Sequence, residues 1–234
     1  MQIDFSGRHV VVTGGTGALG AAVVELLVNS RAVCHIPAHR APDAKEFPLV
    51  GHERVHVVAG VNLTDEAAVT SFYSTLPGLW ASVHSAGGFA MSPAAQTPLA
   101  EFRQMIDTNA VTCFLCCREA IRRIRATGTD GGRIVNVAAR PALVPTGGLA
   151  AYATSKAAVA GLTLSLAEEL AGDRIWVNAV VPSTMDTPAN RRAMPKADFD
   201  RWPKLAEVAA TIAFLASPQN AVTRGALVPV YGRS

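Results

Sequence analysis

Apolar and polar positions alternate along the chain in two rhythms. Short, nearly continuous apolar runs at 8–13, 32–36, 54–59, 80–84, 133–139, 175–181 and 226–230 are bounded by glycine, proline or polar clusters. That is the pattern of strands buried on both faces of a sheet. Between them, apolar residues recur at helical spacing, predicting helices from 18 to about 28, at 65–75, as one long element at 99–126, and at 151–170 and 205–216. Strands alternating with helices predict an α/β chain with a parallel sheet. Thr64 is the expected N-cap of the helix at 65–75. Two stretches fit neither rhythm. The first, 41–53, carries Pro42 and Pro48 and reads as a loop. The second, 189–204, is too irregular for a core element and reads as part of a substrate lid over about 183–204.

Composition supports this picture. Half of the 234 residues are hydrophobic and only 17% are charged, as expected of one substantial core in a single domain spanning 1–234. No apolar run is long enough to cross a membrane and no signal sequence opens the chain, so a cytoplasmic protein is expected. A net charge of +3 gives no case for nucleic acid. Cys113, Cys116 and Cys117 crowd one apolar helix pattern and read, with Cys34, as small buried hydrophobes. His52 and His56 straddle a strand entry, so no metal site is expected.

The candidate chemistry lies at 151–170. Tyr152 and Lys156 stand four apart, hence on one helix face, where an ammonium would favour the phenolate and lower the phenol's pKa towards working pH. A strand ends thirteen residues before Tyr152. At the other end of the chain, the first strand runs into Gly14-Gly15-Thr16-Gly17-Ala18-Leu19-Gly20 and then a helix. Such a turn sets backbone N–H groups and a helix N-terminus against a phosphate. The second strand leads to Pro37-Ala38-His39-Arg40, with no acid before Asp43. A basic side chain there accepts a 2′-phosphate, so NADPH is favoured and NADH remains possible.

Strand, loop and Tyr152-Ala-Thr-Ser-Lys156, taken with the glycine turn, resemble the short-chain dehydrogenases/reductases over nearly the whole chain. The resemblance implies a Rossmann-type doubly wound parallel sheet of about seven strands with helices on both faces. It further implies an NAD(P)H-dependent oxidoreductase acting on a small molecule. Tyr152 would be the acid, Lys156 would hold the nicotinamide ribose, and Asn109 would interrupt the long helix to anchor a water for proton relay. Cofactor contacts would come from Gly14, Thr16, Gly17, Ala18, Leu19, Gly20, Arg40, Asn62, Ala86, Gly87, Pro182 and Thr187, besides Tyr152 and Lys156. Phe89, Ala139, Thr146 and Met185 would line the substrate pocket. Related proteins pair helices across two-fold axes, so a homodimer or homotetramer is expected.

The chain departs from the family pattern at several of these positions. Ala18 replaces a glycine, Asn62 stands for an aspartate, His84-Ser85 for two asparagines and Ser183 for a glycine. The largest departure is Ala139, where the family has a serine that polarises the substrate carbonyl. Losing one such donor costs about 10²–10³ in rate, and Thr146 substitutes only if its loop folds inward. An alanine in that position, Gly-Ala-Leu-Gly and the lid from Asp186 to Phe199 resemble the dihydropteridine reductases, whose quinonoid substrate needs no strongly polarised carbonyl. An alternative of another class is a dinucleotide-binding regulatory protein that has lost catalysis.

Overall fold

The computed structural model describes residues 3–127 and 131–234. Seven strands form one all-parallel sheet: β1 (His9–Thr13), β2 (Val33–Ala38), β3 (Val55–Ala59), β4 (Ala81–His84), β5 (Gly132–Val137), β6 (Ile175–Pro182) and β7 (Leu227–Val230). Their spatial order is β3-β2-β1-β4-β5-β6-β7. The order reverses between β1 and β4, so a crevice opens at the carboxyl ends of these strands, where doubly wound sheets bind ligands.

Alternation along each strand feeds two cores. On one face Val10 and Val12 of β1, Val83 of β4 and Val135 of β5 meet α1 (Ala18–Asn29) through Val23, Val24 and Leu27, and α7 (Leu205–Ala216) through Val208, Ile212 and Leu215. On the other face Val11, Ile134, Val177 and Val181 meet three helices. These are α2 (Glu66–Ser74), α4 (Thr112–Ala126) and α5 (Ala150–Glu169). Cys113, Cys116 and Cys117 are buried in this second core and Cys34 in the first, all as free thiols. Each buried aliphatic side chain contributes about 1.5–3 kcal/mol, so the strands are held from both sides and their carboxyl ends become a rigid rim.

The long helix expected at 99–126 is three pieces: α3 (Leu99–Met105), a π-helical turn at Ile106–Val111, and α4. Apolar periodicity survives this insertion, which is why spacing alone shows one helix. The N-cap of α2 is Asp65 rather than Thr64: the Asp65 carboxylate accepts from Ala68 N–H at 2.9 Å, while the Thr64 hydroxyl donates to Asn62. The irregular stretch after β6 contains a helix, α6 (Pro188–Ala193). Thr187 caps it by accepting from Asn190 N–H at 3.1 Å, and Pro188 sits in the first turn, a start that both residue types favour.

Candidate active site

The crevice is a cavity of about 850 Å³ whose wall includes Gly14, Thr16, Gly17, Arg40, Asn62, Ala86 and Gly87. Seven of the residues expected to touch a cofactor are therefore brought together. Gly14 has φ +66°, and a Cβ there would meet Ala86 N at 2.8 Å. Only glycine lets the turn after β1 pass this close to the segment after β4. A side chain at Gly20 would collide with the Gly14 carbonyl, which holds α1 against the turn. The Gly17 N-cap offers no side-chain bond to the first turn of α1, so those N–H groups are left for an anion. This close-approach cradle fits a dinucleotide pyrophosphate. Ala18 opens α1 and Leu19 buries its side chain in the core, so these two have only backbone to offer.

Asn62, expected to meet the adenine, accepts at Oδ1 from Thr64 N–H at 3.1 Å and Thr64 Oγ1 at 2.9 Å. Its carbonyl end is thus used by the turn. Arg40 is not a free cation: Nη1 and Nη2 donate to Glu46 at 2.7 and 2.5 Å. Glu46, Ser85, Thr108 and Thr112 also line the cavity, and spacing gave no sign of them. Pro182 ends β6 and Thr187 caps α6; neither is part of the cavity wall.

Towards the other end, α5 turns Ser155, Lys156, Val159, Ala160 and Thr163 inward, the face that also carries Tyr152. Lys156 Nζ donates to the Val137 carbonyl at 2.9 Å. A Cβ on Gly87 would lie 3.3 Å from that same Nζ. Burial pushes the Lys156 ammonium down to about 8, because a charge in a dry setting is disfavoured. Tyr152 moves against expectation. Burial pushes its phenol up to about 12, and Lys156, turned to the Val137 carbonyl, does not offset this. Asn109 occupies the π-helical turn, which widens the helix enough to aim its amide sideways. Its Oδ1 accepts from Gly88 N–H at 3.0 Å, and its Nδ2 donates to Gly88 O at 3.1 Å and Ser155 Oγ at 3.0 Å. The Ser155 hydroxyl in turn donates to the Tyr152 carbonyl at 2.7 Å. One side chain thereby ties the segment after β4 to the first turn of α5.

The residues expected to line a substrate pocket lie in apolar surroundings. The Phe89 ring meets the Tyr152 ring edge-on, with centroids 5.0 Å apart, and Phe89, Met91, Leu143 and Val144 are exposed. Ala139 is buried. Thr146 does not fold inward: it is exposed, and its hydroxyl donates to the Val144 carbonyl two residues back at 3.2 Å. The turn between Ala139 and Gly148 satisfies it locally, so it brings no hydroxyl to the Ala139 position. Met185 packs against the first core. The neighbouring segment, expected to be a lid, is pinned by ion pairs. Asp186 accepts from Arg191 at 2.5 and 2.8 Å and from Lys204 at 2.8 Å, bonds that hold its carboxyl well below the usual carboxylate range. Trp202 closes the segment with a buried ring.

His84 belongs to a different network behind the cavity. Thr163 Oγ1 donates to Val159 O, Asn136 Nδ2 donates to Thr163 at 2.9 Å, and Asn136 Oδ1 lies 2.8 Å from His84 Nδ1. That order assigns the proton to Nδ1, with Nε2 accepting from Ser82 at 2.8 Å. His84, Cys113 and Cys117 bring ligand atoms within 4.8 Å of one another, and Cys117 Sγ also lies 3.4 Å from His84 Nδ1 and 3.5 Å from Asn136 Oδ1.

The sequence model of the short chain dehydrogenases matches residues 8–198. The chain belongs to this family. A cis-4-hydroxycyclohexanecarboxylate dehydrogenase of Sinomonas cyclohexanicum is 33% identical over 97% of this chain and 96% of its own. A short-chain dehydrogenase/reductase of Serratia marcescens superposes with a TM-score of 0.80 at 28% identity, over 98% of both chains. ElxO with NADP bound shares the fold at a TM-score of 0.85 and 24% identity, over 96% of this chain and 97% of its own. The short-chain dehydrogenase described here is accordingly an oxidoreductase that uses a nicotinamide dinucleotide. That answers the regulatory alternative: the chain belongs with enzymes. None of its helices, among the described residues, is long and apolar enough to cross a membrane.

Proposed function

We propose that this short-chain dehydrogenase is an NADPH-preferring reductase, acting in the cytoplasm as a single catalytic domain on a small apolar ring ketone or quinonoid ring. The observation that carries the reading is Tyr152, whose ring stands edge-on to Phe89 while its helix places Lys156 against Gly87 of the cofactor cavity. A dinucleotide would lay its pyrophosphate on the Gly14–Gly20 turn. Its adenine would take the Asn62 amide, its 2′-phosphate Arg40, its nicotinamide ribose Lys156, and its carboxamide end the Pro182–Thr187 segment. When bound, it supplies the hydride.

Tyr152 holds the proton. Pushed up to about 12, the phenol is protonated at neutral pH and is the donor to the oxygen or nitrogen that gains charge as hydride arrives. The Asn109 clamp fixes the turn of α5 that aims it. Phe89, Met91, Leu143 and Val144 exclude water from one side of the substrate. Bound NADP in ElxO and the ring alcohol named for the Sinomonas relative support the cofactor and substrate class.

A second reading, quinonoid dihydropteridine reduction, is favoured by one observation: Ala139 is buried without a hydroxyl and Thr146 turns outward. An electron-poor ring needs no donor there. NADPH oxidation against cyclic ketones, quinones and quinonoid dihydropterin tests both, and no turnover with any of them would contradict the proposal. Phe114 on α4 and Leu164 on α5 are exposed at 48% and 45%. These helices are the faces we propose for a homodimer or homotetramer, which a monomer mass in light scattering would refute.

A further inference from the structure

Arg40 and Glu46 stand on the wall of the same cavity. Both Glu46 carboxylate oxygens accept from the Arg40 guanidinium, at 2.7 and 2.5 Å. This is the two-pronged geometry that the guanidinium would otherwise offer a phosphate. The carboxylate is presented by a built turn. Asp43 Oδ1 accepts from the backbone N–H groups of Lys45 and Glu46 at 2.8 and 2.9 Å, and Phe47 N–H donates to the Asp43 carbonyl at 2.9 Å. Phe47, the next residue, is fully buried in the first core. The backbone at Glu46 is therefore fixed and its side chain alone can swing. With the two side chains 71% and 43% exposed, solvent screens the pair, and a doubly charged anion can open it.

We propose that Glu46 is a specificity-determining residue that limits the preference for NADPH by competing with the adenosine 2′-phosphate for Arg40. The inference rests on the reading of Arg40 as the 2′-phosphate ligand. When NADPH binds, Arg40 must give up the fork to Glu46, and the released carboxylate then lies near a like charge. Neither penalty falls on NADH, whose 2′-hydroxyl can donate to the same carboxylate. Aspartate or glutamate that meets a ribose 2′-hydroxyl is expected at the end of β2. Here a carboxylate reaches the place from six residues beyond Arg40, carried in by the Asp43 turn.

The test is the dissociation constant of NADPH and of NADH, by fluorescence titration, for wild type, Glu46→Gln and Arg40→Ala. Glutamine keeps the length and removes the charge. Glu46→Gln is expected to tighten NADPH roughly three- to tenfold and to leave NADH unchanged or slightly weaker. No tightening of NADPH, or equal tightening of both cofactors, overturns the proposal. Arg40→Ala separates the role of Arg40 from that of Glu46. If it weakens NADPH alone while Glu46→Gln does nothing, Arg40 keeps its role and Glu46 loses its own. If Arg40→Ala leaves NADPH binding untouched, the 2′-phosphate reading falls and the Glu46 proposal falls with it.

Discussion

The cofactor side of the cavity is shaped by backbone, with glycines letting two strand ends approach until a Cβ on Gly14 would sit 2.8 Å from Ala86 N. The side proposed for the substrate is shaped by side chains: Ala139 buried, Thr146 turned outward, and Phe89, Met91, Leu143 and Val144 exposed. The first kind of construction tolerates few residue types and so leaves its mark in the chain. The second can exchange a hydroxyl for a methyl without disturbing the fold, as proposed at Ala139.

The largest effect that would break this contrast is at its seam. Tyr152→Phe removes the proton donor but keeps the edge contact with Phe89, so kcat should fall by about 10²–10⁴ while NADPH affinity changes little. A Phe variant that retains most of its turnover would remove Tyr152 from the chemistry. Next comes the backbone side. Gly14→Ala forces a left-handed φ on a residue with a Cβ, a strain of about 1–3 kcal/mol, and Tm should drop by roughly 2–12 °C with weaker binding of both nicotinamide cofactors. Unchanged thermal unfolding would show that the turn has more room than the Gly14 geometry allows.

Much of this was legible because it depends on spacing. Seven strands and the Tyr152–Lys156 face follow from runs and periods, and the structure shifts most ends by a residue or two. The break at Asn109 was legible only through the resemblance, and the π-helical turn at Ile106–Val111 bears it out; spacing does not show it, since inserting one residue's worth of turn leaves the apolar pattern of 99–126 looking continuous. Nor was the Arg40–Glu46 pair legible, since it depends on where an aperiodic loop puts Asp43 and Phe47. The helix at Pro188 was written in the chain, as Thr187 followed by proline, but the polar residues after it hid the apolar period. The direction of Tyr152's pKa needed burial, which spacing does not show.

A smaller effect lies on β2, where burial, with the neighbouring His9 and His56 rings, lowers the His35 imidazole to about 4. Between that value and the ordinary 6.5, the unfolded chain binds a proton that the folded chain refuses. Stability should therefore be intact above pH 6.5 and decline as pH falls towards 4. Urea midpoints for wild type and His35→Gln across that range measure it, the variant showing the flatter profile. A slope that is the same in both proteins would assign the decline to other groups. The smallest effect is expected at Thr146: replacing it by Ala should change kcat/KM less than about twofold, because its hydroxyl bonds only the Val144 carbonyl at an exposed site. A large loss would mean that the turn folds inward when substrate is present.

On the proposed reading, the substrate side lacks a donor which the rest of the site could still use. Steady-state kcat for wild type and Ala139→Ser, measured with NADPH on one cyclic ketone and on quinonoid dihydropterin, tests it most directly. A gain on the ketone of about tenfold or more is expected, as a hydroxyl reaches the developing oxyanion, with no gain on the dihydropterin. A serine variant that is no faster on the ketone would contradict it.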